Sequence, residues 1–198
     1  MPTKTYGATS FGKKTKRVSI GIDQSLTGFG ITVLDIDDAT IFMTQVYKSP
    51  YFGIERLVDI REWLFSVLVD AGDGREIVNV TMEGTVLASS SALVLGELYA
   101  IVRLTLHDFF FKENDEKCRY PLRVPPMTLK KYAAGKGNAK KQEMLLQMFK
   151  RWGIEFSDDN AADSYALARL GAGVIKGPIE KAIVEQMKDD KYRDQPRL

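Results

Sequence analysis

The sequence predicts an α/β fold: a mixed five-stranded sheet, a three-stranded antiparallel meander plus parallel strands, flanked by helices. Three observations predict it. Residues 17–47 hold three apolar runs separated only by short polar turns, the pattern of a meander. The runs at 17–24 and 76–83 both end on a lone acid and are separated by an amphipathic segment of helical length, the order of a right-handed crossover onto a parallel strand. Beyond residue 84, helical patterns surround one more short strand. With 198 residues, 44% of them hydrophobic and 27% charged, the chain suits a single domain with a substantial core.

In chain order, residues 1–16 are rich in Lys, Thr, Ser and Gly without apolar periodicity, and read as a flexible basic arm. The main domain spans 17–175. Strands are expected at 17–24, 28–36 and 40–47, joined by a turn containing Gly28 and by the acidic DIDDA turn. Residues 54–71 place Leu57, Ile60, Leu64, Val67 and Leu68 at helical spacing, so they form an amphipathic helix whose stripe faces the core; Gly72 and Gly74 close it. The run EIVNVTME at 76–83 is the next strand. A long helix follows at about 90–110, apolar nearly all round, which makes it either central to the core or part of a dimer interface. YPLRVPP at 120–126 is a short strand stopped by prolines, and MTLKKYAAG adds one or two helical turns. Glycines 135 and 137 precede a helix carrying Met144, Leu145, Met148, Phe149 and Trp152 on one stripe, and 158–170 forms another helix. Residues 176–198 are a helical or disordered tail.

Composition excludes several chemistries. One cysteine, Cys118, rules out an internal disulfide framework and a cysteine-rich zinc site. One histidine, His107, late in the apolar helix, leaves no basis for a Ser-His triad or a histidine-rich metal site. No run is long and apolar enough to span a bilayer, and the basic N-terminus lacks the apolar segment of a secretory signal, so no membrane partner and no secretion are expected.

The net charge of +2 conceals an asymmetry. Residues 1–17 carry five Lys/Arg and no acid, and residues 128–151 carry seven against Glu143 alone. Two basic segments on an otherwise acidic chain point to a polyanion with a defined footprint. The second holds Lys130, Lys131, Lys136, Lys140 and Lys141. Cations in the first turn of a helix oppose its dipole, and a bound phosphate reverses that penalty.

The acids form a series. Asp23 ends the first strand, where an unpaired buried charge is too costly to be core, so it faces a metal ion, a basic partner or solvent at the rim. Glu83 repeats the pattern, and the parallel crossover brings both acids to the C-terminal edge of the sheet. In DDNAADSYALARL, Asp158 or Asp159 caps the helix. Asp163 shares a face with Asp159 at i,i+4 and with Asn160 at i,i+3, and capping does not explain it. Ala162, Tyr165, Ala166 and Ala168 pack this helix on the sheet and bring Asp163 towards Asp23 and Glu83.

GIDQSLTGFG, VTMEG with the long SALVLGELYAIV helix, TLKKYAAGKGNAKKQ and AADSYALA, in that order, resemble the RuvC-type Holliday junction resolvases of the ribonuclease H-like nuclease superfamily, over roughly residues 17–172. The resemblance implies a ribonuclease H-like fold and a homodimer that binds four-way DNA junctions and nicks them symmetrically with Mg²⁺, for which Mn²⁺ substitutes. By position it makes Asp23, Glu83 and Asp163 metal-binding catalytic acids, with Lys130 and Lys141 near the scissile and flanking phosphates. Lys131, Lys136, Lys140 and Ser25 join them in gripping DNA. Two positions depart from the family pattern. A fourth acid or a histidine is common three residues before Asp163, where this chain has Asn160; Asp159 or Asn160 then completes the set. Some members carry a wedging aromatic where this chain has Val86, beside an equally aliphatic Leu87.

Independent chemistry agrees. Phosphodiester hydrolysis needs an activated water and a charge sink for the leaving oxygen, which two divalent ions supply, and oxygen ligands without histidine suit Mg²⁺ or Mn²⁺ over zinc. Lys141 then stabilises charge on the phosphate. The rival readings are a broader branched-DNA debranching nuclease acting on flaps and Y-forks, a non-catalytic junction binder, and a sugar kinase-like ATPase, which needs about twice this length. Such a protein belongs in the cytoplasm or at the nucleoid, or in a host cytoplasm if viral.

Overall fold

The computed structural model describes residues 3–7, 11, 14–84, 92–112, 118 and 120–193. Six strands form one sheet: β1 (Thr3–Gly7), β2 (Arg17–Asp23), β3 (Phe29–Asp35), β4 (Phe42–Tyr47), β5 (Glu76–Glu83) and β6 (Leu122–Val124), in the order β1-β4-β3-β2-β5-β6. β2, β3 and β4 are the expected meander, while β5 pairs parallel with β2 and β6 parallel with β5. The connection between β2 and β5 runs through α1 (Gly53–Gly72), the crossover expected from the spacing.

The N-terminal arm requires a correction. Residues 3–7 are not a flexible arm but an added edge strand, paired antiparallel with β4 from Thr3↔Tyr47 to Gly7↔Met43. The run TKTYG is β-prone but shows no apolar alternation, because its anchoring comes from single contacts rather than from a buried face. The Tyr6 ring meets Phe156 edge-on at 5.6 Å, and the Lys4 ammonium donates to Ser157 Oγ at 2.9 Å.

Helices cover both faces of the sheet. On one side α1 and α2 (Ala92–Lys112) enclose Ile20, Ile22, Val80 and Met82. Leu57, Ile60, Leu64, Val67 and Leu68 of α1 are all buried, as their spacing requires. α2 buries one stripe, Leu98, Val102, Leu106 and Phe110, and leaves Leu93, Val94, Leu104 and Phe111 exposed. On the other side lie α3 (Pro126–Ala134), α4 (Lys141–Trp152), α5 (Asp159–Gly171) and α6 (Pro178–Gln186). No helix among the described residues is long and apolar enough to cross a membrane.

α5 lies directly on the sheet, and its sequence explains how. A Cβ at Gly21 of β2 would fall 2.1 Å from the Ser164 carbonyl oxygen and 2.3 Å from the Ala168 nitrogen, so only glycine admits the helix at this height. Ser19 Oγ donates to the Ala168 carbonyl at 2.9 Å, and Asn79 Nδ2 to the Gly171 carbonyl at 2.9 Å. Ser164 Oγ joins Thr32 Oγ1 at 2.9 Å, which in turn meets Thr44 Oγ1 at 2.7 Å. These buried polar ties fix the rotation of α5 about its axis, and with it the direction of Asp163.

Candidate active site

β2 and β5 run parallel, with Ile22 beside Met82, so the next residues, Asp23 and Glu83, end neighbouring strands at the same edge. Gln24 Nε2 donates to the Glu83 carbonyl at 3.0 Å and ties the two strand ends together. Asp163 approaches from α5. Asp23 is buried, whereas Glu83 and Asp163 are partly so.

The three carboxylates feel one another. Burial, then the charges of Asp163 and Glu83, push the Asp23 carboxyl well above the ordinary carboxylate range, against the pull of Lys141. Burial raises Glu83, opposed by Lys130 and Lys141. Asp163 is raised to about 7, by burial first and the Glu83 charge second, with Lys141 opposing. Mutual repulsion among buried carboxylates is the signature of a site that a cation would relieve.

The candidates for a fourth donor separate here. Asp158 is the helix cap, accepting from the Asn160 and Ala161 amides at 2.9 and 3.3 Å. Asp159 turns to Lys141 and pairs with it; that hydrogen bond holds Asp159 below its usual range and raises the lysine. Asn160 faces the β2–β3 turn. A Cβ on Gly28 would stand 2.7 Å from Asn160 Nδ2, and one on Gly30, the register partner of Asp23, 2.3 Å from the Asn160 carbonyl oxygen.

The lysines flank the acids. Lys130 comes from α3 and Lys141 from the first turn of α4; with Asp163 and Asp159 they line a small cleft. Lys136 bridges Glu143 at 2.6 Å, while Lys131 and Lys140 are exposed. Ser25 bonds within its own turn, to Thr27. Val86 and Leu87 lie outside the described residues. His107 is half-exposed on α2, stacked on Phe111, and buried Cys118 donates to the Ile77 carbonyl; neither stands near the acids in the fold. Sequence reasoning missed Gln24, whose adjacency to Asp23 was its only signal.

The donor chemistry suits a hard divalent cation: carboxylates, an amide and no sulfur or imidazole. Among the described residues, however, no three His, Cys, Asp or Glu side chains are gathered closely enough to hold a metal ion as they stand. Like-charged carboxylates repel until a cation lies between them, so an open arrangement accords with their raised pKa values.

The sheet, meander and flanking helices define a ribonuclease H-like α/β architecture. No protein-family model matches the sequence, and no curated protein does. Among solved structures the chain is similar to Thermus thermophilus RuvC, at 21% identity and a TM-score of 0.58, over 89% of this chain and 98% of that one. It is likewise similar to T. thermophilus RuvC in complex with a Holliday junction substrate, at 22% identity and 0.58, over 86% and 96% of the two chains. The yeast mitochondrial Holliday junction resolvase matches at 17% identity and 0.54, over 88% and 85%. At these identities the likeness speaks for the fold, and the site speaks for itself.

Proposed function

We propose that this protein is a structure-specific DNA endonuclease that resolves four-way junctions by paired, symmetric nicks, acting as a homodimer with two Mg²⁺ ions, or Mn²⁺ in their place. The observation that carries the reading is the convergence of Asp23, Glu83 and Asp163 from three elements, all raised by burial, with Glu83 raising both the others and Lys130 and Lys141 opposing. The similarity to a RuvC solved with a Holliday junction substrate supports the choice of DNA.

In this reading Asp23, Glu83 and Asp163 hold the metal, and Asn160 supplies the fourth oxygen because it packs on Gly28 and on Gly30, the register partner of Asp23, while Asp159 is engaged by Lys141. The ions, when bound, supply the Lewis acidity that activates water and stabilises the leaving oxygen. Lys141 brings positive charge to the reacting phosphate, Asp159 orients that lysine, and Lys130 neutralises the neighbouring phosphate. Lys131, Lys136 and Lys140 extend the grip along the backbone, adding affinity that falls with salt. The exposed apolar residues of α2, Leu104 and Phe111, with Phe65 and Val69 of α1, form the dimer face.

The open arrangement of the carboxylates favours one second reading, a branched-DNA binder without catalysis. A panel of four-way junctions, flaps, Y-forks and linear duplexes, incubated with Mg²⁺ or Mn²⁺ and mapped strand by strand, separates the readings. Paired symmetric cuts on junctions support the resolvase, cuts on every branched form a broader debranching nuclease, and retention in a gel without cuts the binder.

A further inference from the structure

Glu180, near the start of α6, is a fully buried carboxylate that the acid site does not use. Both its oxygens are occupied. Oε1 accepts from Arg151 Nη2 at 2.8 Å and from Trp152 Nε1 at 2.9 Å, and Oε2 accepts the Lys176 amide. Arg151 reaches further: its Nη1 donates to the Tyr132 and Ala133 carbonyls, each at 2.8 Å. Those are the last turn of α3, and Arg151 itself is in the last turn of α4. One guanidinium therefore joins the C-terminal ends of both helices, where a cation is favoured by the dipole, and Glu180 holds it from α6.

The two helices so joined carry the lysines of the acid site. Lys130 lies less than one turn before Tyr132 and Ala133, and Lys141 begins α4, on the order of 15 Å of helix from Arg151. A small tilt at the Arg151 end swings Lys141 across the cleft. A second tie reinforces the first, since Tyr132 donates its hydroxyl to the Val174 carbonyl at 2.6 Å. α6 is anchored through buried Ile183, with Met187 buried just beyond it, and the chain after it bridges β6 at Leu122↔Arg193.

We propose that Glu180, acting through Arg151, is a positioning residue by which the C-terminal segment sets the lysine-bearing helices α3 and α4 against the acid site. This rests on the nuclease reading above, which gives Lys130 and Lys141 their task. A buried ion pair adds little net stability compared with apolar packing, but fixes geometry when its hydrogen bonds are all made, as they are at Glu180.

The test uses the full chain with Glu180→Gln, and Ile183→Ala as a variant that loosens α6 without touching the ion pair. Lysine acylation read by mass spectrometry reports Lys130 and Lys141, with Lys16, beside the opposite end of β2, as the reference, and single-turnover nicking is measured at saturating junction DNA. Glu180→Gln is expected to change the reactivity of Lys130 and Lys141 about threefold or more, leave Lys16 unchanged, and slow nicking about tenfold. Ile183→Ala is expected to lower the melting temperature while the folded protein keeps wild-type lysine reactivity. Unchanged lysine reactivity in folded Glu180→Gln, or an equal change in Ile183→Ala, overturns the proposal. If Glu180→Gln does not fold, Arg151→Lys, which keeps the charge but loses the fork to the two carbonyls, takes its place with the same expectation for Lys130. If the wild type cuts no branched DNA, the nuclease reading falls, and the acylation pattern still decides the positioning.

Discussion

Asp163→Asn should make the metal-free protein more stable, and only at the higher end of the pH range. Burial and the Glu83 charge raise the Asp163 carboxyl to about 7 from 3.8. A raised carboxylate keeps its proton in the folded state while the unfolded chain has released it. The fold therefore loses stability as pH climbs from about 3.8 to about 7 and levels off above that. At about 1.4 kcal/mol per pH unit the loss is on the order of 4 kcal/mol as a ceiling, and roughly 2 kcal/mol once water and side-chain relaxation share the charge. Asparagine keeps the shape without the charge. For a chain of this size 1 kcal/mol moves the melting temperature by about 2–4 °C. Without divalent cations Asp163→Asn should then melt about 4–8 °C above the wild type at pH 8 and within about 1 °C of it at pH 4. Adding Mg²⁺ should raise the wild-type melting temperature and leave the variant's nearly unmoved. Differential scanning calorimetry at the two pH values decides it. A variant that melts lower at pH 8, or by the same margin at both pH values, refutes the picture of repelling carboxylates.

Three further expectations follow from the same geometry. Lys141→Met should slow single-turnover nicking by about 10²-fold with a much smaller loss of junction affinity, since a transition-state charge is removed while Lys130, Lys131 and Lys140 remain; equal losses in rate and binding would make Lys141 a simple tether. Gly21→Ala should destabilise by about 3 kcal/mol or more in urea titration, because the new methyl lands within 2.1 Å of the α5 backbone; a cost under about 1 kcal/mol would mean α5 yields freely. Leu104→Glu, on the exposed side of α2, should leave the fold intact and shift sedimentation at micromolar concentration to monomer, with paired nicks becoming single; an unchanged dimer moves the interface elsewhere.

Much of this was legible in residues 17–83 because local signals and fold agree there. Alternating apolar positions, a three-strand spacing and the crossover helix leave few topologies, and two strands ending in acids announce a sheet edge. β1 was not legible: Tyr6 and Lys4 gain their hold from Phe156 and Ser157, about 150 positions away, and no local pattern records such contacts. α2 was half legible. Its all-round hydrophobicity is real, but which stripe enters the core depends on the packing of α1. In the site, Asp159 and Asn160 look equivalent by spacing, and only the approach of α5 over Gly28 and Gly30 separates them. Glu180 lies in the segment that reads in sequence only as a helical or disordered tail; its burial follows from Arg151 and Trp152 meeting it from another helix.

The central claim is that Asp23, at the buried centre of the acidic site, is required for metal-dependent hydrolysis of branched DNA. It is tested most directly by single-turnover nicking of a four-way junction in Mg²⁺ with wild type and Asp23→Asn at equal DNA occupancy. The account predicts paired nicks from the wild type and none detectable from the variant, which still binds the junction. Nicking by Asp23→Asn at the wild-type rate would contradict it.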